Sequence, residues 1–273
     1  TQELSQAGTT SSGLRYTPSS GAWGFRAQVR MGPSGGGDAY KLKIALGADF
    51  SSNGGIARMY LDGELIVMAN DAERNPPVKG TLSAEYNFEE NIFHANVEVF
   101  IDFEVVYGAG ENKKAGSIDI YASPDKWHIW INHPENRNGL KVALLESLNA
   151  SLQFYMMVGN DLPPMPPPPA NILSAPGFAG LDMSRFLSSA ELDTISSGEG
   201  FMFGADFQLS FNPTFLMFYA RLSTHIGFDL ALKNYSGLSC GGRESIGLNG
   251  WYASGQLYGR IDGAVGIKVD LGF

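Results

Sequence analysis

The sequence predicts an all-β fold in which long antiparallel strands form a sandwich or barrel-like sheet and one short helix follows a Pro-rich segment. The main observation is a long-range alternation of apolar and polar residues, because successive strand side chains point to opposite faces of a sheet. Composition agrees with this: 34 Gly, 12% aromatic residues and only 17% charged residues favour strands and turns over helices.

The first half of the chain carries several strand patterns. Apolar residues alternate with polar ones over residues 23–31 and 40–50, and residues 31–39 form a loop between them. In MYLDGELIVM, the pair Asp62-Gly63 between apolar arms predicts a two-residue hairpin. Residues 93–107 predict one long strand with acidic residues on its polar face.

The residue pattern changes in the middle of the chain, where shorter strands, a proline-rich tract and a helical pattern follow one another. Shorter strands are expected at residues 117–122 and 126–132 and, with a less regular pattern, at residues 140–158. DLPPMPPPPA, residues 161–170, holds six of the 14 prolines and predicts extended polyproline II, since proline has no N–H to offer a sheet. Behind it, near-helical spacing over residues 182–197, with the first residue as the N-cap, predicts the one helix.

The β pattern returns in the last third, at residues 201–211 and 216–232. Residues 250–273 then alternate without interruption, with apolar residues or Gly at odd positions and mostly polar residues at even ones. A tight turn at Asp262-Gly263 would move the apolar set to the other face. One long strand, or a bulge, is therefore predicted there.

These patterns divide the chain into four parts. We expect a flexible head at residues 1–20, a β-rich region at 21–160, a Pro-rich linker with the short helix at 161–199, and a long-stranded β region at 200–273. The two β regions are expected to pack as one domain, because 44% hydrophobic content is ample for a core.

Charge and cysteine content exclude several classes of protein. The net charge is −9 and basic residues do not cluster, so no nucleic-acid partner is expected. Cys240 is the single cysteine, which excludes a disulfide framework and a cysteine-based zinc cluster. No apolar run is long enough for a transmembrane helix. The composition is typical of exported bacterial proteins, and we expect a removed export signal or a fragment of a longer chain.

The chemical motifs do not predict an enzyme. Residues 237–241, GLSCG, match the nucleophile-elbow pattern, but no helical pattern follows and all four histidines come earlier in the chain. The histidines lack metal-ligand spacing. Glu98, Asp102 and Glu104 share one face of the predicted strand, and a solvated strand face explains them. We expect no catalytic residue, no cofactor and no metal site.

Trp130 and His128, in DKWHIWINHP, are the candidate contacts for a partner or ligand. Trp127 and Trp130 are separated by an odd number of positions, so they face opposite sides of a regular strand. One of the two tryptophans is expected in the core. The other has the flat apolar ring that stacks on a sugar or on a partner protein.

Five blocks in the chain, taken in order, carry a family resemblance. They are DKWHIWINHPENRNGLKV, MMVGNDLPPMPPPP, GEGFMFGADF, FYARLSTHIGFDLAL and GWYASGQLYGRIDGAVGIKV. This series resembles the distal region of very large secreted Bacteroidetes surface proteins of the TANFOR-domain type. The resemblance implies export to the cell envelope and a β-rich build, and it implies no catalytic residues.

Three functions stay open. The first, which we expect, is a non-catalytic structural or interaction domain at the bacterial cell surface, whose partners are other envelope proteins or neighbouring copies of itself. The second is an outer-membrane β-barrel, a pore or an anchor, with its apolar face against lipid. The Pro-rich insert, an apolar hairpin at residues 57–68 and the short central strands argue against it. The third is a carbohydrate-binding module.

Overall fold

The chain folds almost entirely into β-structure, which confirms the predicted fold class. The computed structural model describes residues 8–9, 15–16, 21–33, 39–67, 76–144, 147–174, 199–215, 217–234 and 250–267. Its helices are a 3-10 turn, Glu111–Lys113, and α1 (Ala170–Leu173). Its strands are β1 (Gly8–Thr9), β2 (Arg15–Tyr16), β3 (Trp23–Met31), β4 (Tyr40–Phe50), β5 (Ile56–Val67), β6 (Val78–Asn87), β7 (Ile92–Ile101), β8 (Val106–Gly108), β9 (Lys114–Ala122), β10 (Trp127–Ile131), β11 (Asn138–Leu144), β12 (Leu148–Gly159), β13 (Glu199–Phe211), β14 (Thr214–Phe215), β15 (Phe218–Asn234) and β16 (Trp251–Ile267).

One antiparallel sheet contains all of these strands except β1 and β2, which pair with each other. Its main order is β16-β15-β13-β12-β10-β9-β7-β6-β5-β4-β3. Strand β11 continues along β12 where β10 ends, and it also pairs with β8. Because β12 pairs with β13, the strands before and after the Pro-rich segment belong to the same sheet.

The pairing register gives the sheet two different faces. One side of the sheet, which we name the outer face, carries mainly apolar residues and glycines. On this face an apolar or glycine residue of each strand lies directly opposite an apolar or glycine residue of the next strand. The other side, the inner face, holds most of the polar and tyrosine side chains. One outer row runs through Val29, Ile44, Gly63, Leu82, Val97, Ile118, Ile131, Met156, Phe203, Leu230 and Gly255.

Several predicted elements are confirmed. Strand β16 runs through Asp262-Gly263 without a turn, as the phase of its alternation requires. Strands β3, β4, β9, β10, β13 and β15 lie within a few residues of their predicted bounds. The strand expected over residues 140–158 is instead two strands, β11 and β12, which pair antiparallel. Helix α1 directly follows the prolines, whereas the helix predicted at residues 182–197 lies outside the described residues.

The hairpin predicted at Asp62-Gly63 is wrong, because β5 continues through both residues. Asp62 lies on the inner face, where its carboxylate accepts a hydrogen bond from Arg26 at 3.1 Å. Gly63 lies on the outer face between Ile44 and Leu82. The alternation of β5 keeps its phase across the pair, and a two-residue turn would have reversed it.

The single strand predicted over residues 93–107 is also wrong. Strand β7 ends at Ile101, and the chain reverses where the N–H of Phe103 donates to the carbonyl of Val106 at 2.9 Å. The acidic residues therefore do not share one strand face. Glu98 pairs with Lys114 at 2.5 Å, and Asp102 lies beyond the end of β7.

Tyrosine rings of one strand lie over glycines of the next strand on the inner face. A Cβ atom added to Gly227 would lie 2.5 Å from the ring of Tyr258, its directly opposed partner. Covering a strand glycine with an aromatic ring restores packing that the missing side chain removes. The opposed pairs with this arrangement are Gly47–Tyr60, Gly204–Tyr155, Gly227–Tyr258 and Gly266–Tyr219.

We expect the substitution Gly227→Ala to lower the free energy of unfolding by about 1–3 kcal/mol, because the new methyl group must displace the Tyr258 ring. The control is Gly259→Ala on the neighbouring strand, where an added Cβ meets its nearest atom at 3.6 Å, an ordinary contact. Guanidinium unfolding of both variants measures the difference. Equal stability of the two variants would contradict the packing argument.

Candidate functional site

The Pro-rich segment lies against the inner face of β12, β13, β15 and β16. We name residues 162–173 the strap. Leu162 at its start is buried in an apolar cluster, and Met165 and Trp130 pack against that cluster. Ile172 in α1 is buried as well. The buried side chains that share the cluster with Leu162 are Tyr155, Met157, Met202 and Ala231.

Polar side chains of the inner face hold the strap through its carbonyl groups. Lys233 donates to the carbonyl of Pro163 at 3.2 Å, and Gln256 donates to that of Pro166 at 2.8 Å. Arg260 donates to the carbonyl of Asn171 at 2.5 Å. Proline residues lack N–H groups but keep their carbonyl acceptors, so the strap can accept from the sheet without adding donors.

Asp229 of β15 is the centre of the polar contacts under the strap. Its side chain is fully buried and accepts two hydrogen bonds from the Arg137 guanidinium, at 2.8 and 3.0 Å. Tyr155 donates to the same carboxylate at 2.9 Å and Gln256 at 2.8 Å. A buried carboxylate is tolerated only when paired and hydrogen-bonded in this way.

A second buried carboxylate, Asp206 of β13, joins the same network. Its oxygens pair with the Nε2 atom of His225 and accept hydrogen bonds from Gln208 at 2.9 Å and Tyr258 at 3.2 Å. The other ring nitrogen of His225, Nδ1, lies 2.7 Å from the amide nitrogen of Asn171 in the strap. His225 therefore joins the sheet to α1.

Arg137 comes from the connection between β10 and β11, and two asparagines give that connection its shape. Asn132 directly follows β10 and lies in the left-handed region, at φ 59°. Its side-chain oxygen accepts from the N–H of Ser117 at 2.8 Å, and its amide donates to the carbonyl of Phe154 at 2.9 Å. Asn138 donates to Asn132 at 3.2 Å, so the loop is held at both ends.

The Arg137 guanidinium bridges the two carboxylates, because it also donates to the hydroxyl of Tyr258 at 2.7 Å, and Tyr258 donates to Asp206. Burial disfavours the charged guanidinium, but the Asp229 carboxylate together with the Tyr258 and Tyr155 side chains outweighs burial and raises the pKa of Arg137 above its ordinary value. Arg137 is therefore a fixed positive charge between the loop and β15.

A polar cavity of about 870 Å³ lies beside the strap on the inner face. The strap residues from Pro166 to Asn171 form one wall, and the Arg137 loop and the Glu111–Lys113 turn form others. Charges of both signs line it, so no single charged ligand is favoured. The side chains that line it include Glu111, Lys114, Gln153 and Gln208.

The structure brings Trp130 and His128 together on the inner face. Their rings stack with centroids 3.7 Å apart, and His128 is buried with its Nε2 atom 3.0 Å from Asp119. Trp127 faces the opposite, outer side, as its odd spacing predicted. The partner or ligand contact expected of Trp130 and His128 stays a prediction. Because both rings lie on the inner face, such a partner or ligand would have to reach that face and not the outer one.

Sequence reasoning missed Arg137, Asp206 and Asp229. Asp206 and Asp229 had a usable signal, since each is an acid in a strand whose polar face also carries Tyr, Gln or His. The loop motif at residues 237–241 lies outside the described residues. Within the part of the chain that the structure describes, no three His, Cys, Asp or Glu side chains are grouped to hold a metal ion.

No known protein family, curated protein or solved structure matches the chain. The resemblance to secreted surface proteins therefore stays a prediction. Across the described ranges, no helix has the length and apolar character needed to cross a membrane.

We expect the substitution Asp229→Asn to lower the free energy of unfolding by about 3–5 kcal/mol, because it leaves the Arg137 charge buried without its partner. The matched control is Asp161→Asn, which breaks an exposed pair with Lys126 at 3.1 Å and should cost less than about 1 kcal/mol. Guanidinium titration followed by tryptophan fluorescence measures both. Similar losses in the two variants would remove the special role of the Asp229 network.

Proposed function

We propose that the sheet is the membrane-embedded part of a bacterial envelope protein, with its outer face against lipid and its inner face around the strap. This is the outer-membrane alternative of the three functions, in its anchor form. The observation that carries the proposal is the inverted distribution of polar and apolar side chains between the inside and the outside of the sheet.

The inversion is large in β13, β15 and β16. The outer residues Leu257, Ile261 and Val265 are 80%, 72% and 84% exposed, whereas the inner residues Asp229 and Asp206 are 2% and 3% exposed. In water, burial of apolar surface is the main driving force of folding, and exposed apolar patches of this extent are uncommon. A sheet that places its charges inside and its apolar face outside fits a lipid surrounding.

Aromatic residues at both ends of the strands support the same proposal. Trp23, Trp127 and Trp251 are the first residues of β3, β10 and β16, which run in one direction, and all three are exposed on the outer face. We name this the tryptophan end. Phe211 and Phe218 are exposed on the outer face at the opposite, phenylalanine end. Aromatic girdles at two interfaces are typical of membrane-spanning sheets.

Two of the sequence-based arguments against a membrane function were an apolar hairpin at residues 57–68 and short central strands. The observed strand lengths answer both. Strand β5 has 12 residues and is not a hairpin. The short strands β10 and β11 lie end to end beside β12, so together they cover its length. A tilted strand crosses a bilayer with about 9–11 residues, and β3, β4, β6, β7 and β9 have 9 to 11.

The position of the strap removes the third argument and favours an anchor over an open pore. The Pro-rich insert lies on the inner face, where it meets no lipid. It fills space beside the Asp229 network with apolar anchors at Leu162 and Ile172 and with hydrogen bonds between them. An interior that the strap partly occupies favours an anchor over an open pore.

The main alternative is a cell-surface structural domain, and the lysine variants and the flotation assay distinguish it from a membrane anchor. That function requires a second apolar surface over the outer face, from a partner or from another copy of the chain. The carbohydrate-binding alternative requires access to Trp130, whose ring stacks on His128 beneath the inner cluster. No described contact favours it.

We expect Ile261→Lys to lower stability in phosphatidylcholine vesicles by about 2–4 kcal/mol, because its charge would lie near the middle of the lipid-facing side of β16. The matched control, Ala264→Lys, places the same charge on the inner side of the same strand and should change stability little. Both variants are scored by vesicle flotation and by guanidinium unfolding of the floated protein.

Two results would contradict the membrane function. One is equal behaviour of the two lysine variants in vesicles. The other is a monodisperse, β-rich wild-type protein in detergent-free buffer that does not float with vesicles, which would favour the surface-domain function instead.

Tryptophan fluorescence gives an independent test of the girdle. In variants that keep a single tryptophan, we expect lipids brominated near the headgroup to quench Trp23, Trp127 and Trp251 more than lipids brominated at the chain centre. Trp130 should be quenched by neither, because its ring lies on the inner face. Quenching of Trp130 as strong as that of Trp127 would overturn the assignment of the two faces.

A further inference from the structure

Asn-Gly pairs occur in the sequence at residues 53–54, 138–139 and 249–250, and the structure describes both residues of the first two. In such a pair the backbone nitrogen of the glycine can attack the side-chain carbonyl of the asparagine, because glycine has no Cβ atom to shield that nitrogen. Whether the two groups can meet depends on the fold. One pair lies in an open turn and the other lies inside the sheet.

Asn53 and Gly54 lie in the turn that joins β4 to β5 at the tryptophan end of the sheet, and both are exposed. Gly54 has φ 86°, in the left-handed region that glycine adopts readily, and a Cβ atom added to it would meet no described atom within 4 Å apart from its chain neighbours. Its N–H donates to the carbonyl of Ser51 at 3.0 Å. A single hydrogen bond in an exposed turn opens at little cost in free energy.

The strands on either side of this turn are held together independently of it. Arg58 of β5 donates twice to the carboxylate of Asp49 in β4, at 2.7 and 3.0 Å. The ring of Phe50 stacks on that of Trp23, with centroids 3.9 Å apart. The turn can therefore change shape while β4 and β5 stay paired.

The pair Asn138-Gly139 has the same two residue types in a closed setting. Asn138 is 6% exposed, and its amide donates to the side-chain oxygen of Asn132 at 3.2 Å. Gly139 is buried in β11, where an added Cβ atom would clash with the carbonyl oxygen of Leu152. The side chain of Asn138 cannot turn towards the Gly139 nitrogen unless this part of the sheet opens first.

We propose that Asn53 is a site of spontaneous deamidation in the folded protein and that Asn138 is protected from it. The Gly54 nitrogen loses its proton and attacks the Cγ atom of Asn53, a C–N bond forms, and the side-chain nitrogen leaves as ammonia. Water then opens the resulting succinimide at one of its two carbonyl groups. The product is aspartate, or isoaspartate, in which the main chain runs through the former side chain.

Each conversion adds one negative charge to a chain whose net charge is −9, and places it at the tryptophan end. The isoaspartate product also lengthens the main chain of the turn by one methylene group. The Arg58–Asp49 pair and the Trp23–Phe50 stack lie outside the ring that forms, so we expect the modified protein to stay folded. The inference does not depend on the membrane function, because it needs only the exposed turn.

Peptide mapping of the whole chain tests the proposal. The protein is kept in vesicles or in detergent-free buffer, whichever holds it folded by circular dichroism, and is incubated in mildly alkaline water enriched in heavy oxygen. We expect Asn53 to convert at least about tenfold faster than Asn138, since Asn138 must wait for the sheet to open. Mass spectrometry should find one heavy oxygen atom per event, and an isoaspartyl methyltransferase identifies the isoaspartate.

Two variants and one control test the ring closure and the role of the fold. Gly54→Ala adds a methyl group beside the attacking nitrogen, and Asn53→Gln, which keeps the glycine of the turn, would need a larger ring. Both should lose most of the conversion at residue 53. In guanidinium the wild-type chain should convert at Asn53 and Asn138 at similar rates.

Three results would overturn the inference. The first is conversion of Asn53 in the folded chain that is no faster than that of Asn138. The second is a wild-type rate at residue 53 in both variants, which would exclude ring closure through Gly54. The third is a difference between the two asparagines that persists unchanged in guanidinium, which would assign it to the neighbouring sequence and not to the fold.

Discussion

The register between neighbouring strands is the constraint on which the rest of the structure depends. Side chains alternate with a period of two, so a slip of one residue between β12 and β13 would turn Asp206 outward and bring Phe207 inside. The same slip between β13 and β15 would exchange Asp229 with Leu230 in the same way. The register holds across the whole row from Val29 to Gly255. Each tyrosine ring that covers a directly opposed glycine would clash with a larger residue at that position, so these pairs help to fix the register.

The inner network is possible only because the register is kept. Moving two charges out of water is costly, and a buried pair is weak support for stability by itself. Here Asp229 accepts from Arg137, Tyr155 and Gln256, which come from three separate parts of the chain. Removing any one of these donors takes a hydrogen bond away from the buried Asp229 carboxylate. The network therefore selects one arrangement of loop, strap and sheet, and specificity is its main contribution.

The fold class could be predicted because alternation is a local property that any strand displays. Asp62-Gly63 has the residue types of a two-residue turn, but the phase of β5 continues through it, as the phase of β16 continues through Asp262-Gly263. The phase of the alternation, and not the turn propensity of the pair, is therefore the reliable signal at both places. The break after Ile101 was hidden because Phe103 and Val105 continue the alternation through a turn. The Arg137–Asp229 pair could not be predicted, since 92 positions separate the two residues and nothing local connects them.

Composition alone could not predict whether the Pro-rich segment is a linker or lies on the inner face of the sheet. A proline tract that joins two domains and one that lies inside a sheet have the same sequence signature. Inside this sheet, however, the donors Lys233 and Gln256 need acceptors, and a helix or strand would bring N–H groups that need acceptors of their own. Six prolines supply carbonyls and no such donors. The residues that made the segment resemble a linker are thus the ones that suit it to a polar interior.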